Sequence, residues 1–183
     1  MSQSAPKAQI SKTPLPRERS ALVQTLLGDV ERIVPIIARN KAASEHARTL
    51  APEVVEAMRD TGLLMMKSPY EVGGAEIHPV DQMAVVEAVT YLDSAAAWSM
   101  FIAATVTGRA LSALSDKAVD ELFAGGSFPL MAGSLKPSGA ALRVDGGFRI
   151  SGQWAWGSGV HHADYVIVPV LKDDKTGVLT AVV

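Results

Sequence analysis

At 183 residues with 48% hydrophobic side chains, the chain can form one ordinary domain or two small ones around a real core. Lys+Arg 17 against Asp+Glu 19 gives a formal net charge of −2 with scattered basic residues, which excludes an electrostatic footprint for nucleic acid. The lack of cysteine excludes disulfides and thiolate metal sites and is compatible with a reducing cytosol.

The first 20 residues are polar, carry Pro6, Pro14 and Pro16 and have no apolar signal core, so a flexible arm is expected over 1–20. From Ala21 to about Asn40, Leu22, Leu26, Ile33 and Ile37 recur at helical spacing, with Pro35 expected to kink or divide the helix. Pro52 suits a first helical position before EVVEAMRD, and Gly62 comes where a left-handed C-terminal cap is wanted. Leu63 to Met66 makes a short apolar crossing, and SPYEVGGAEIHP reads as a loop.

Val80 to Leu92 then reads as an amphipathic helix, with Val80, Met83, Ala84, Val86 and Ala88 supplying its apolar surface. Ser94 to Leu114 is a nearly all-apolar helix. Its most apolar part, Ser94 to Gly108, is shorter than the ~20 residues a bilayer span needs. No membrane partner is therefore expected, and the location is read as cytoplasmic. Ser115 caps a last helix, Asp116 to Phe123, ending at Gly125-Gly126.

Beyond Gly126 short apolar runs alternate with turn residues, and Asp145-Gly146-Gly147 and Asp173 to Gly177 carry the chemistry of antiparallel hairpins. The order predicts an α+β chain: an all-helical N-terminal domain over 21–126, then part of an antiparallel β-barrel-like domain over 127–183. The last apolar strand would leave an uncovered sheet, so the chain is expected to be the N-terminal portion of a longer protein.

The residues with chemical potential cluster in ISGQWAWGSGVHHADYVIV. His161 and His162 are adjacent, so their side chains diverge, and neither has partners at a metal-binding spacing; no metal site is expected. One histidine is expected to hold a turn and the other to be solvated. Trp154 and Trp156, two apart, would share one face of a strand and pack either on a planar cofactor or on the helical layer. Ser158, between two glycines, suits either close approach of a ligand or an ordinary strand-end turn. Arg109, near the end of the apolar helix, can hold an anion or offset the helix dipole.

The order of these parts, with P-x-x-x-G-G at Pro69 to Gly74, DSAAAW at Asp93 to Trp98 and S-G-x-W-x-W-x-S-G-x-x-H-A-D from Ser151 to Asp164, resembles the acyl-CoA dehydrogenase superfamily over about Ala21 to Val183. The superfamily's C-terminal helical bundle is not in this sequence. Acyl-CoA dehydrogenases typically carry Thr-Glu-Pro and then Gly-Thr-Lys-x-Trp-Ile-Thr-Asn-Gly. Here LKP stands at Leu135 to Pro137 and GQWAWGSG at Gly152 to Gly159, without the Glu and the Lys and one residue shorter. The version here looks like the two-component flavin-dependent monooxygenases, whose motif runs Ser-Gly-x-Trp-x-Phe-x-Ser-Gly-x-x-His.

That resemblance implies an oxygenase of a small, often phenolic, substrate. It uses reduced FAD or FMN delivered by a separate flavin reductase and reacts with O₂ through a C4a-hydroperoxyflavin. It implies Trp156 as the isoalloxazine wall and Ser158 as the catalytic residue, with a hydroxyl or backbone donor near flavin N5. Gly157 joins these as a flavin contact, and Ala132, Gly133 and Ser134 meet the ring edge and ribityl chain. His162 would orient the turn. The histidine that phenol hydroxylases carry late in the apolar helix is replaced here by Thr105 to Arg109, which leaves Arg109 as the candidate substrate contact. A homo-oligomer is implied for the full-length protein. The alternatives are an FAD-dependent acyl-CoA dehydrogenase and a non-catalytic binding or assembly module.

Overall fold

The computed structural model describes residues 15–172 and 177–183. Most of the expected arm, residues 1–14, lies outside them. Helix α1 runs Arg19–Ala47, opened by the Glu18 carboxylate, which accepts from the backbone N–H of Ser20 and Ala21. Its Leu22, Leu26, Val30, Ile33 and Ile37 form the buried stripe. The helix is continuous across Pro35, so the proline does not divide it. Pro35 faces solvent, so water can satisfy the carbonyl that its missing N–H leaves free.

Helix α2 (Pro52–Arg59) buries Val54, Val55 and Met58. Gly62 is not its left-handed cap: Gly62 has φ −77°. A Cβ there would crowd the end of the Leu15 side chain at 2.6 Å and approach the Asp29 carboxylate at 3.3 Å, and that carboxylate accepts the Gly62 N–H at 2.8 Å. Asp29 is thus a buried carboxylate with two partners, Gly62 and Arg32.

Helices α3 (Pro79–Thr90) and α4 (Ser94–Ala113) pack against each other. The face expected of α3 is buried only in part: Val86 and Ala88 pack against the core. Gln82, Val85 and Val89 face the core, while Val80 and Met83 stand exposed, because Gln82 reaches Thr105 of α4. On α4 the buried row is Ala96, Ala97, Met100, Ala104, Thr107, Gly108, Ala110 and Leu111, so only one side is fully covered. Ser115 caps α5 (Asp116–Phe123), and Gly126 turns the chain with φ 74°.

The strands are β1 (Met131–Gly133), β2 (Gly139–Val144), β3 (Gly147–Gly152), β4 (Tyr165–Lys172) and β5 (Val178–Val182). The expected hairpin joins β2 to β3, with Val144 opposite Gly147 and Gly146 at φ 77°. The β4–β5 pair is antiparallel as well, with Leu171 opposite Val178; residues 173–176 of the turn expected between them lie outside the described residues.

The sheet is mixed, however, and not wholly antiparallel. β1 and β2 both run parallel to β4, β1 beside Tyr165 to Ile167 and β2 beside Val170 to Lys172. The cause is the segment 153–164, which carries the chain back from the end of β3 to start β4 alongside β1. A parallel pair needs such a crossover, and local turn chemistry does not announce it. The α+β order of helices followed by a sheet holds. Met131 joins the helical core with Phe128 and Leu130, whereas Ala141, Val168 and Val170 form a smaller core within the sheet.

Candidate functional site

A polar staple joins the helices to the sheet. The Arg59 guanidinium, at the end of α2, donates to both carboxylate oxygens of Asp164 at 3.1 and 3.2 Å, and to the carbonyls of Phe128 and His162 at 3.1 Å each. Asp164 also accepts the Leu130 N–H at 2.9 Å. A second tie is buried: Thr107 Oγ1 of α4 accepts the N–H of Met131 at 3.0 Å. The segment 153–164 is therefore held at its far end against α2 and at the start of β1.

Within that segment the strand ends at Gly152, and the two tryptophans part. Trp154 turns inward: its indole N–H donates to the Pro169 carbonyl at 2.9 Å, and its ring lies over Gly139 and Gly152. A Cβ on Gly139 would fall 2.2 Å from Trp154 Cζ2, so this glycine is a seat for the ring. Trp156 turns outward and is 92% exposed, with φ 63°. The shared face expected of the pair is absent because strand alternation stops before they are reached. A left-handed backbone at a bulky residue is uncommon and costs about 1–2 kcal/mol.

After Trp156 the chain makes a run of tight turns. Ser158 N–H donates to Trp156 O at 2.9 Å, Val160 N–H to Gly157 O at 3.0 Å and His162 N–H to Gly159 O at 2.9 Å. Ser158 Oγ accepts the indole N–H of Trp98, from the first turns of α4, at 3.2 Å. His162 sits 3.2 Å from Thr49 Oγ1 while His161 is exposed. Burial first, then the neighbouring His161 and Arg59 charges, holds the His162 imidazole below its ordinary value.

The remaining candidates lie on β1 and α4. Ala132 is buried, and Ser134 donates its N–H to Ile167 O at 3.1 Å. Parallel pairing uses backbone groups of alternate residues, so Met131 and Gly133 present theirs at the outer edge of β1. Met131 there meets Thr107, and a Cβ on Gly133 would lie 2.9 Å from Ile167 O and 3.4 Å from Val106. Met131 and Ser158 line the same small apolar cavity, which brings β1 beside the turn. Arg109 is exposed on the same helical face as Trp98, about three turns further along α4. The structure thus joins Trp156, Gly157 and Ser158 in one turn and sets Ala132 to Ser134 on the neighbouring strand, with Arg109 away from both.

A wider cleft of about 620 Å³ opens behind the turn, between the end of α1, the start of α4 and residues 157–162. Among the described residues no group of three or more His, Asp or Glu side chains is gathered as a metal ion requires. None of the described helices is long and apolar enough to cross a membrane.

A helical layer, a mixed sheet and a Trp-Gly-Ser turn at their junction, with Trp156 exposed, define the class: an acyl-CoA-dehydrogenase-like α+β chain. The chain belongs to the acyl-CoA dehydrogenase family, since residues 24–123 match its N-terminal domain. It is 28% identical over 154 residues to the oxygenase subunit HsaA of a flavin-dependent monooxygenase from Mycobacterium tuberculosis, covering 83% of this chain and 39% of that protein. It is 31% identical to a pigment production hydroxylase of Rhodococcus sp., covering 76% of this chain and 36% of that protein. Its fold superposes on XiaF from Streptomyces sp., solved in complex with FADH2 and glycerol, with a TM-score of 0.82 and 25% identity. That match covers 91% of this chain and 43% of the other. The chain spans about two fifths of the length of these relatives.

Proposed function

We propose that the chain supplies the flavin-facing wall of a monooxygenase that uses reduced FAD or FMN and O₂ on a small, aromatic substrate, with a separate reductase delivering the flavin. The observation that carries this reading is Trp156. A large aromatic ring is held 92% exposed on a strained backbone, two residues before the half-buried Ser158. Strain of this kind concentrates at functional sites. The likeness to HsaA and the fold match to XiaF, solved with FADH2, support the same reading.

The residues fit a planar, edge-polar group. Trp156 offers a flat face, Ser158 a hydroxyl, and the outer edge of β1 offers the Gly133 backbone at a point where no side chain fits without displacing its neighbours. When bound, the reduced flavin supplies the reaction with O₂. The chain's own part is to stack against the ring through Trp156 and to hold a polar edge atom through Ser158.

Anaerobic loading of the chain with reduced FAD or FMN, followed by mixing with O₂ in a stopped-flow instrument, tests the proposal. The expected result is a transient flavin absorbance, distinct from the oxidised and reduced spectra, that outlasts oxidation of free flavin. Oxidation at the free rate would overturn the reading. Bleaching of bound oxidised FAD by an acyl-CoA under anaerobic conditions would replace it with the dehydrogenase alternative.

A further inference from the structure

We infer that Trp98 is a positioning residue that fixes the Ser158 hydroxyl for the flavin; the inference rests on the reading of the 156–158 turn as a flavin wall. An indole N–H is a donor only, so at 3.2 Å the Ser158 oxygen accepts from it. One lone pair of that oxygen is thereby engaged. What remains is the O–H and the second lone pair, directed away from the indole.

The backbone of Ser158 cannot take this task instead, because its N–H already donates to Trp156 O at 2.9 Å. The hydroxyl is the polar group of Ser158 that faces Trp98. Unrestrained, a serine side chain samples three staggered wells. Trp98 selects among them from a rigid base: Asp93 accepts from Ala95 and Ala96 at 2.8 and 2.9 Å to start α4, and Phe101 lies 6.1 Å from the Trp98 ring, centroid to centroid. Trp98 remains 55% exposed, so burial alone does not explain a tryptophan here.

The test has two readouts. In the flavin-free chain, the three tryptophan indole N–H resonances are followed by ¹⁵N NMR, with Trp98→Phe assigning its own signal. Ser158→Ala is expected to shift the Trp98 resonance and leave that of Trp154, bonded to Pro169, in place. An unmoved Trp98 resonance would overturn the inference. Oxidised FMN and FAD are then titrated into wild type, Trp98→Phe, Ser158→Ala and the double variant. Each single change is expected to weaken flavin binding about fivefold, the size of one hydrogen bond, and the double variant to lose no more than either single. Additive losses would overturn the role of Trp98 while leaving the flavin site standing. Absence of flavin binding by the wild type would overturn the flavin reading itself, and this inference with it.

Discussion

Arg59 and Asp164 form a two-pronged ion pair, at 3.1 and 3.2 Å, that joins the last residue of α2 to the residue before β4. Arg59 is the more enclosed partner, with its side chain 18% exposed against 43% for Asp164. The guanidinium also holds two backbone carbonyls, so its removal leaves several acceptors without a partner at once. Arg59→Met is expected to lower the unfolding free energy by about 1–3 kcal/mol, discounted for the exposure of Asp164. Urea unfolding of Arg59→Met, Asp164→Asn and the pair reads this out, and strict additivity would show that the two residues do not act together.

The Trp154 ring rests on Gly139, where a Cβ would stand 2.2 Å from it. Gly139→Ala is expected to push the ring off the Pro169 carbonyl and cost about 1–3 kcal/mol, as overpacking does. The change shows as a lower thermal midpoint together with a red shift of tryptophan emission. A variant as stable as wild type would mean that Trp154 is not locked in place.

His162 is held below the ordinary imidazole value of 6.5 by burial, then by His161 and Arg59. The unfolded chain therefore binds a proton at a higher pH than the folded one. The contribution of the neutral imidazole is complete above the unfolded value and is lost as pH falls through the lowered folded value. Burial, His161 and Arg59 all lower the folded value, so the sign of the effect is not reversed. Stability measured by urea is expected to fall as pH drops below the ordinary imidazole value, and His162→Gln to flatten part of that fall. Equal slopes for the two proteins would contradict the assignment.

Trp156 combines 92% exposure with φ 63°. A residue kept for packing would be destabilising to remove. Here Trp156→Gly is expected to raise the unfolding free energy by about 0.5–1 kcal/mol, because glycine adopts this backbone without strain. A loss of stability would assign the ring a structural role.

Features set by neighbours in the chain were legible in the sequence. The Ser115 cap, α5, the Asp145-Gly146 hairpin and the helices-then-sheet order all follow from residues a few positions apart. What was not legible depends on partners far along the chain. Arg59 and Asp164 are separated by 105 positions, and Trp98 and Ser158 by 60. The DSAAAW stretch displayed Trp98 without saying what its N–H would meet. The parallel pairing with β4 was hidden for the same reason, and the buried face of α3 was legible only in part because Gln82, a polar residue, points inward to Thr105. At the turn, residue types singled out Trp156 and Ser158, but strand alternation placed both tryptophans together. The backbone at Trp156 separates them.

Trp156 and Ser158 are proposed here as the residues that meet the flavin. The most direct measurement is an anaerobic titration of reduced FMN and FAD into wild type and Trp156→Gly, with thermal midpoints recorded on the same samples. Wild type is expected to bind, and Trp156→Gly to bind at least about tenfold more weakly, roughly the 1.4 kcal/mol of one aromatic stacking contact. The variant's midpoint should be unchanged or higher. Equal affinity of the two proteins, or no binding by either, would contradict this assignment.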